Sequence, residues 1–480
     1  MNKYVKNYIL RTADIIMMLL FPIITFPYVS RILGPSNLGI INFAQSYGYY
    51  FTHIASFGIS SYAIREVSRI RDNKEKVEIV SNEIFNLNLF FSILSTIVYF
   101  CGVFFVQNFR SNFVIFTIYS VVIFSNFLSL DWLLQSFDDY FFSAMRNFII
   151  RFFSLVAVFI LVKHKEDYVI YMAIICVTEM GTKISSLLYC RRNYARLRVR
   201  RSFLNFKNHI KSMFVLFTFR LVNGISSNLD KLMIGFIMEY VNVGIYSAGV
   251  KFILMISPIV ETIGIVLFPK INISAENSSD EYMKNLKINY DMILLMGVPM
   301  AVGMYLISGR LIPLIAGEQY TEAVIVSQIM SGIIILGPIG DMLGSKTLLV
   351  FKKDRWLLVC SSIVALSNVV LNFVFIPLLG INGAAIASVL SYIIAVSSRY
   401  YFTRKIIKIR LFTKSLVKYG LFTVPFIILY VLFQRQIDKS TLWMIGFMGA
   451  CVLIYMAELL LSKDYLVKVM IEKTIKKEKV

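Results

Sequence analysis

Residues 220–251 read RLVNGISSNLDKLMIGFIMEYVNVGIYSAGVK. Their apolar content predicts two membrane helices joined by a turn, yet Arg220, Asp230, Lys231 and Lys251 interrupt it. A charge near the centre of a bilayer costs about 3 kcal/mol on insertion scales, so such residues belong where they face water or one another. At about 100° per residue, Arg220, Gly224, Ser227 and Lys231 share one helical stripe with Asn223 and Asp230 at its edge. Gly244, Ser247, Lys251 and Thr262 line the next helix in the same way. Two polar stripes on neighbouring helices predict a shared basic lumen.

Outward from there the chain keeps one character. Its 480 residues are 58% hydrophobic and 15% aromatic, with a mean hydropathy of +0.71, beyond what a water-soluble fold can cover with polar groups. Apolar runs of the roughly 20 residues that a membrane span needs recur with short breaks, which leaves no room for an extramembrane domain. Lys and Arg number 49 against 28 Asp and Glu, a formal charge of +21. The positive-inside rule accounts for that excess, and with no RNA-binding aromatic motif in view nucleic acid is not expected as a partner. Cys101, Cys176, Cys190, Cys360 and Cys451 sit within or at the ends of apolar runs without CxxC spacing. They read as packing residues, and no disulfide or metal framework is legible. The start, MNKYVKNYILRTAD, is basic but has no small-residue cleavage site, so the first apolar run is expected to stay as a helix.

The expected fold is an all-α integral membrane protein of about 14 transmembrane helices, two pseudo-symmetric six-helix lobes plus two C-terminal helices. An N-terminal lobe (1–190) is followed by a basic cytoplasmic linker (191–212), a C-terminal lobe (213–404), and two last spans with a basic tail (405–480). The first span, Asp14 to Leu33, contains Pro22 and Pro27, and a tight turn is expected at Gly34-Pro35. The second, Leu38 to Ile64, carries Asn42, Gln45, Ser46, Tyr49, His53, Ser56 and Ser60 at three- and four-residue steps. Small polar residues can equally be interhelical glue; His53 favours a cavity lining. In the sixth span Glu179 and Lys183 have the order and spacing of a self-neutralised intrahelical pair. Loops on alternate sides hold 38 Lys and Arg against 6, with Lys346 and Arg399 counted on the richer side. That bias puts both termini in the cytoplasm, which requires an even number of spans.

The halves repeat. SNLGIINFAQS (Ser36–Ser46) parallels VNVGIYSAGVK (Val241–Lys251), SLDWLLQS around Asp131 parallels IGDMLGSK around Asp341, and HKEDYVIYMAII parallels LGINGAAIASVL. Gly39 and Gly244 are 205 residues apart, Asp131 and Asp341 210. Six spans per half makes the repeats parallel, with the substrate site expected between them near the midplane.

The run SRILG (Ser30–Gly34), continued by PSNLGIINFAQSYGYYFTHIASFGISSYAIREVSR, resembles the start of the polysaccharide repeat-unit flippases, the O-antigen and capsule exporters of the MOP superfamily, which also contains the MATE antiporters and the lipid II flippase. DWLLQSFDDYFFSAMRN (Asp131–Asn147), SSNLDKLMIG and VGIYSAGVK carry the likeness along nearly the whole chain, with Ser136 standing where a Gly is commoner. The resemblance implies a 14-helix, two-lobed, alternating-access transporter in the bacterial cytoplasmic membrane. It would move undecaprenyl-pyrophosphate-linked oligosaccharide to the outer leaflet in lipopolysaccharide or capsule biosynthesis, alongside membrane lipids and other glycan-assembly membrane proteins. It also implies that Arg31, which matches the cavity arginine of a similar motif in the lipid II flippase, lines the cavity; snorkelling to headgroups is the alternative.

Residue chemistry points the same way. A pyrophosphate needs countercharge to cross hydrocarbon, and Arg31, Arg220, Lys231 and Lys251 can supply it unless Asp230, Glu261 or Asp14 neutralises them. Asn42, Gln45, Tyr49, His53 and Asn223 offer hydrogen bonds and stacking to the glycan. Asp14, Asp230, Glu261 and Asp341 are the candidate carboxylates for H⁺ or Na⁺ coupling, and no other cofactor is expected. GPIGDMLGSKT has the wrong spacing for a nucleotide-binding loop. A MATE-like antiporter would share the fold, but a basic lumen repels its cationic substrates. A membrane-bound polymerase or ligase would need catalytic residues in a sizeable outer loop, and every outer connection is short.

Overall fold

The computed structural model describes residues 3–199 and 206–466; the side chains of 3–20, 206–208, 215, 219–223, 225–227, 263, 265, 266 and 277 lie outside that description. The described residues form helices and no strand. Hydrocarbon supplies no partner for a bare N–H or C=O, and a helix satisfies each of them within its own segment.

The chain divides into two compact units, Met1–Gly244 and Ile245–Val480. The first comprises α1 (Lys3–Ser56), α2 (Ile59–Ile70), α3 (Lys74–Phe105), α4 (Gln107–Arg110), α5 (Phe113–Phe124), α6 (Asp131–Ser136), α7 (Tyr140–Leu161), α8 (Tyr168–Asn193), α9 (Phe206–Ile237) and the start of α10 (Tyr240–Asn277). The second holds the rest of α10, then α11 (Ser279–Ala316), α12 (Ala323–Met330), α13 (Ile333–Leu343), α14 (Asp354–Thr403), α15 (Lys414–Leu421), α16 (Val424–Lys439) and α17 (Thr441–Leu461). The helix α9, expected to open the second lobe, thus packs with the first unit.

Among the described residues 10 helices are long and apolar enough to cross a membrane. One of them, α14, is two spans, because Gly380 (φ 61°, ψ −139°) breaks it. Beyond the break a Cβ on Gly383 would sit 2.0 Å from the Phe375 carbonyl oxygen, a contact that a straight helix rising about 1.5 Å per residue cannot make. Gly34 (φ 75°, ψ 173°) breaks α1 at the predicted turn before Pro35, in a conformation that glycine adopts without a Cβ clash. The two limbs of α1 and the helix α9 complete the expected fourteen.

The second span is shorter than its periodicity suggests. It ends at Ser56, where Phe57 (φ 37°) and Gly58 (φ 73°) leave the helix. A Cβ at Gly58 would lie 2.5 Å from the Met213 carbonyl, so the break lets two backbones touch. Ser60, Arg65 and Arg69 therefore lie on the separate helix α2, which buries Ile59, Tyr62, Ala63 and Val67. His209 ties α9 to this corner, with Nδ1 2.7 Å from the Tyr62 hydroxyl and Nε2 2.9 Å from Glu83 Oε2.

The basic linker begins docked against α3. Ala195 and Leu197 are buried while Arg196 and Arg198 are exposed, the in-out alternation of an extended strand. Asn82 on α3 donates Nδ2 to the Arg196 carbonyl (3.1 Å) and accepts the Arg198 N–H at Oδ1 (2.7 Å), and Asn86 donates to the Arg198 carbonyl (2.8 Å).

One expected charge pairing comes out differently. Lys183 donates to the Val122 carbonyl (2.8 Å) and to Ser125 Oγ (3.3 Å), so it covers the end of α5 instead of forming an intrahelical pair with Glu179. The polar break after Asp131 is organised by Arg146, whose side chain is 4% exposed and donates to Asp131 through Nη1 (2.8 Å) and Nη2 (3.3 Å). Ser186 and Asn147 complete its ring of acceptors.

The repeated glycines meet reciprocally. A Cβ on Gly39 would fall 1.8 Å from the Tyr240 carbonyl oxygen, and one on Gly244 would fall 1.9 Å from that of Pro35. Pro35 stands to Tyr240 as Gly39 does to Gly244, so the crossing is self-complementary, the pattern of a two-fold contact. Gly39→Ala is expected to force this crossing apart at a cost of about 1–3 kcal/mol, read as a lower midpoint when folded protein is followed by size exclusion after heating. Gly303→Ala, at a position with nothing within 4 Å, is the matched control; equal midpoints for the two variants would contradict the close crossing.

Candidate functional site

In the first unit the second limb of α1 runs antiparallel to α9. Phe43 meets Phe236 edge-on at 5.4 Å and crowds Gly235, while the Tyr49 hydroxyl lies 3.0 Å from where a side chain on Gly224 would start. Phe43 and Ala44 are fully buried, whereas Asn42, Gln45, Tyr49 and His53 are half-buried. These four residues of the predicted stripe are thus partly open to their surroundings, while Ser46 of the same stripe is buried. The His53 ring stands edge-on to Tyr49 at 4.3 Å.

Opposite, Asp230 is buried, with its charge in electrostatic reach of Tyr50. Lys231 is half-buried and donates to Asn228 Oδ1 at 3.3 Å. Among the described residues no carboxylate lies at ion-pair distance from its ammonium. Arg31 is exposed, three residues before the Gly34 break. The side chains of Asp14, Arg220 and Asn223 lie outside the described residues.

The second unit contains a polar cluster that the sequence reading did not assemble. Lys251 is half-buried on α10, and further along that helix Glu261 is exposed, its carboxylate 3.9 Å from the Cβ position of Gly337 on α13. One turn on, Asp341 Oδ2 accepts a 2.7 Å hydrogen bond from Lys346, whose side chain is only 5% exposed. A π turn over Gly344–Leu348 ends α13, and the wider winding brings together residues five apart. Lys346 Nζ and Asn289 Oδ1 both crowd Gly264, at 2.0 and 3.6 Å from its Cβ position. Asn289 is fully buried with neither amide atom hydrogen-bonded. From α14, Arg399 packs against Gly340 and Gly344 and lies in the field of Asp341.

Lys346 and Arg399, counted as loop cations, are therefore inside the bundle beside Asp341. Lys346 neutralises Asp341, one of the four candidate coupling carboxylates, and among the described residues Glu261, another of them, has no cation at ion-pair distance. The signal in the sequence was Asp341 and Lys346 five residues apart within an apolar run. A helical period of 3.6 gave no reason to pair them.

The same unit has an apolar cavity of about 580 Å³ between α10, α11, α16 and α17, lined by Ile259, Pro299, Met300, Phe447, Val452 and Tyr455 among others. It offers a hydrocarbon chain dispersion contacts and few polar groups.

The family model for "Polysaccharide biosynthesis protein" matches residues 4–272. A protein of Escherichia coli (strain K12), named as a candidate O-antigen transporter, is 22% identical over 337 residues, covering 70% of this chain and 81% of that protein. Among solved structures, the lipid II flippase MurJ in an inward closed conformation superposes with a TM-score of 0.78 at 16% identity, covering 95% of this chain and 99% of that one. An inward-facing multidrug resistance MATE family transporter of the MOP superfamily gives 0.57 at 11% identity, over 81% and 94% of the two chains. The fold is the MurJ/MATE fold.

The Asp341–Lys346 pair makes a stability test. Asp341→Asn leaves the buried ammonium without its anion and is expected to lower stability by about 1–2 kcal/mol, discounted because the carboxylate is half exposed. Adding Lys346→Met should recover most of the loss in thermal unfolding of the purified protein. A double variant no more stable than Asp341→Asn alone would show that the pair does not act as a unit.

Proposed function

We propose, from the premise that this chain belongs to the polysaccharide biosynthesis protein family, that it is a flippase for lipid-linked glycan, carrying undecaprenyl-pyrophosphate-linked repeat units from the inner to the outer leaflet of the bacterial cytoplasmic membrane. It is a multi-pass membrane protein, and both termini are cytoplasmic on the charge bias of its loops.

One observation carries the reading: a cation without a carboxylate at ion-pair distance among the described residues, Lys231, stands on the helix packed against the half-open stripe Asn42, Gln45, Tyr49 and His53. Cation and polar stripe suit the two polar ends of such a substrate. Ammonium and guanidinium groups at Lys231, Arg31 and Arg220 in the first unit would hold the diphosphate, with Lys251 of the second unit a further candidate countercharge, and amides and rings along the stripe would meet sugar hydroxyls and faces. Alternating access between two parallel repeats would then expose the loaded site to each leaflet in turn.

With the interior negative, two negative charges moving outward run down the membrane potential and gain roughly 2 × 2.3 kcal/mol per 100 mV if they cross the whole field, so export could run without nucleotide. Return of the empty carrier would be coupled to H⁺ or Na⁺ through a carboxylate. Glu261 is the best placed, since it stands beside Asp341 without a cation at ion-pair distance among the described residues. The MATE fold invites a second reading as a cation antiporter, but the cations of the proposed site would repel such a substrate.

A strain lacking the protein is expected to accumulate the lipid-linked repeat unit on the inner leaflet, complemented by wild type. Each of Arg31→Ala, Arg220→Ala, Lys231→Ala and Lys251→Ala should cut surface glycan about tenfold or more, the loss of a charged hydrogen bond worth about 1.5–3 kcal/mol, with the protein still in the membrane. Normal surface glycan in all four variants would end the proposal.

A further inference from the structure

Away from the stripe and the acidic cluster, the first unit has a second place where cations gather. Arg71, just past the end of α2, Lys74, at the start of α3, and Arg191, Arg192 and Arg196, at the end of α8 and just beyond, surround a cavity of about 450 Å³ with Glu78 on its wall. Arg71 is answered by Asp138, 3.3 Å away. Among the described residues none of Lys74, Arg191, Arg192 and Arg196 has a carboxylate at ion-pair distance, and Glu78 is too far from them to form such a pair.

The fold holds these like charges together. The grip of Asn82 and Asn86 on the backbone of Arg196 and Arg198 lays the segment after α8 along α3, and Ala195 and Leu197 anchor it in the core. Tyr194 fixes the turn: its ring stacks on Phe137 at 4.4 Å and its hydroxyl donates to Asp139 at 2.8 Å. Burial and that carboxylate push the Tyr194 hydroxyl well above the usual phenol range, so it remains a donor at every physiological pH. A surface whose only task is to orient a membrane protein can leave its cations apart. Here two asparagines, a tyrosine and an apolar anchor bring three arginines up to the other two cations, and an anion between them relieves the repulsion.

We propose that this cavity is a second anion site, separate from the transport path, that takes a phosphate group. It lies at the ends of α3 and α8, two helices long and apolar enough to cross a membrane, and the phosphate it takes is that of an anionic phospholipid at the membrane surface or of free phosphate or pyrophosphate there. Arginine forks suit either oxygen set. An anion bound there would cross-link the start of α3 to the segment that leads into α9.

The test uses full-length protein. In nanodiscs of phosphatidylcholine with and without phosphatidylglycerol, native mass spectrometry after detergent release counts retained phosphatidylglycerol. Wild type is expected to retain it, and R191Q/R192Q/R196Q to lose about tenfold or more in apparent affinity. K405Q/K408Q/R410Q, which removes the same charge from the second unit, should retain it. Asn82→Ala keeps every charge but loosens the segment, and should weaken retention several-fold. A parallel arm titrates inorganic phosphate and pyrophosphate into lipid-depleted protein and follows the thermal midpoint. A rise in wild type that the arginine triple variant lacks, without preference for phosphatidylglycerol, assigns the site to free anion. If the triple variant matches wild type in both arms, or the control triple loses as much as it does, no site exists there.

Discussion

Hydrocarbon offers a charge no partner, and that constraint explains most of the side-chain placement in this protein. Arg146 is wrapped by Asp131, Ser186 and Asn147. Lys183 reaches across to a carbonyl and a hydroxyl at the end of α5, and Lys346 folds back on Asp341. Each answers a charge locally and so leaves it unavailable to a substrate. Lys231, by contrast, donates to the Asn228 amide oxygen and among the described residues has no carboxylate at ion-pair distance, Asp230 acting on it only through its field, on the helix that faces the polar stripe of α1.

The duplicated halves meet the same constraint by different means. Asp131 and Asp341 occupy equivalent places in the repeat, and each holds a cation, at 2.8 and 2.7 Å. In the first half the cation comes from the next helix; in the second it comes from the same chain turn, through a π turn that changes the register. The repeated glycines are used more symmetrically. Gly39 and Gly244 bring their helices to backbone contact through the same pair of positions. A side chain at either would separate them, which is why this part of the pattern survives in both copies.

Asparagine does similar work where the chain leaves the membrane. The paired Asn82 and Asn86, one turn apart on α3, act as a short strand edge for the segment after α8. This basic stretch is held as an extended strap with Ala195 and Leu197 buried, and the positions of its arginines follow from that hold.

The sequence alone determined the class of the protein. Runs of apolar residues and glycine before proline at Gly34 state membrane helices and the first turn, because hydropathy and φ preference act over a few neighbouring residues. It also marked Asn42, Gln45, Tyr49 and His53 as one face, since helical period is local. Only the tertiary structure decided which charges are neutralised. That Lys183 leaves Glu179 for Val122, that the second span stops at Ser56 to let Gly58 touch Met213, and that Lys346 and Arg399 lie inside the bundle beside Asp341 all depend on contacts between segments distant in sequence or on a helix wound out of its usual register. No local periodicity encodes such contacts; packing against the rest of the chain does.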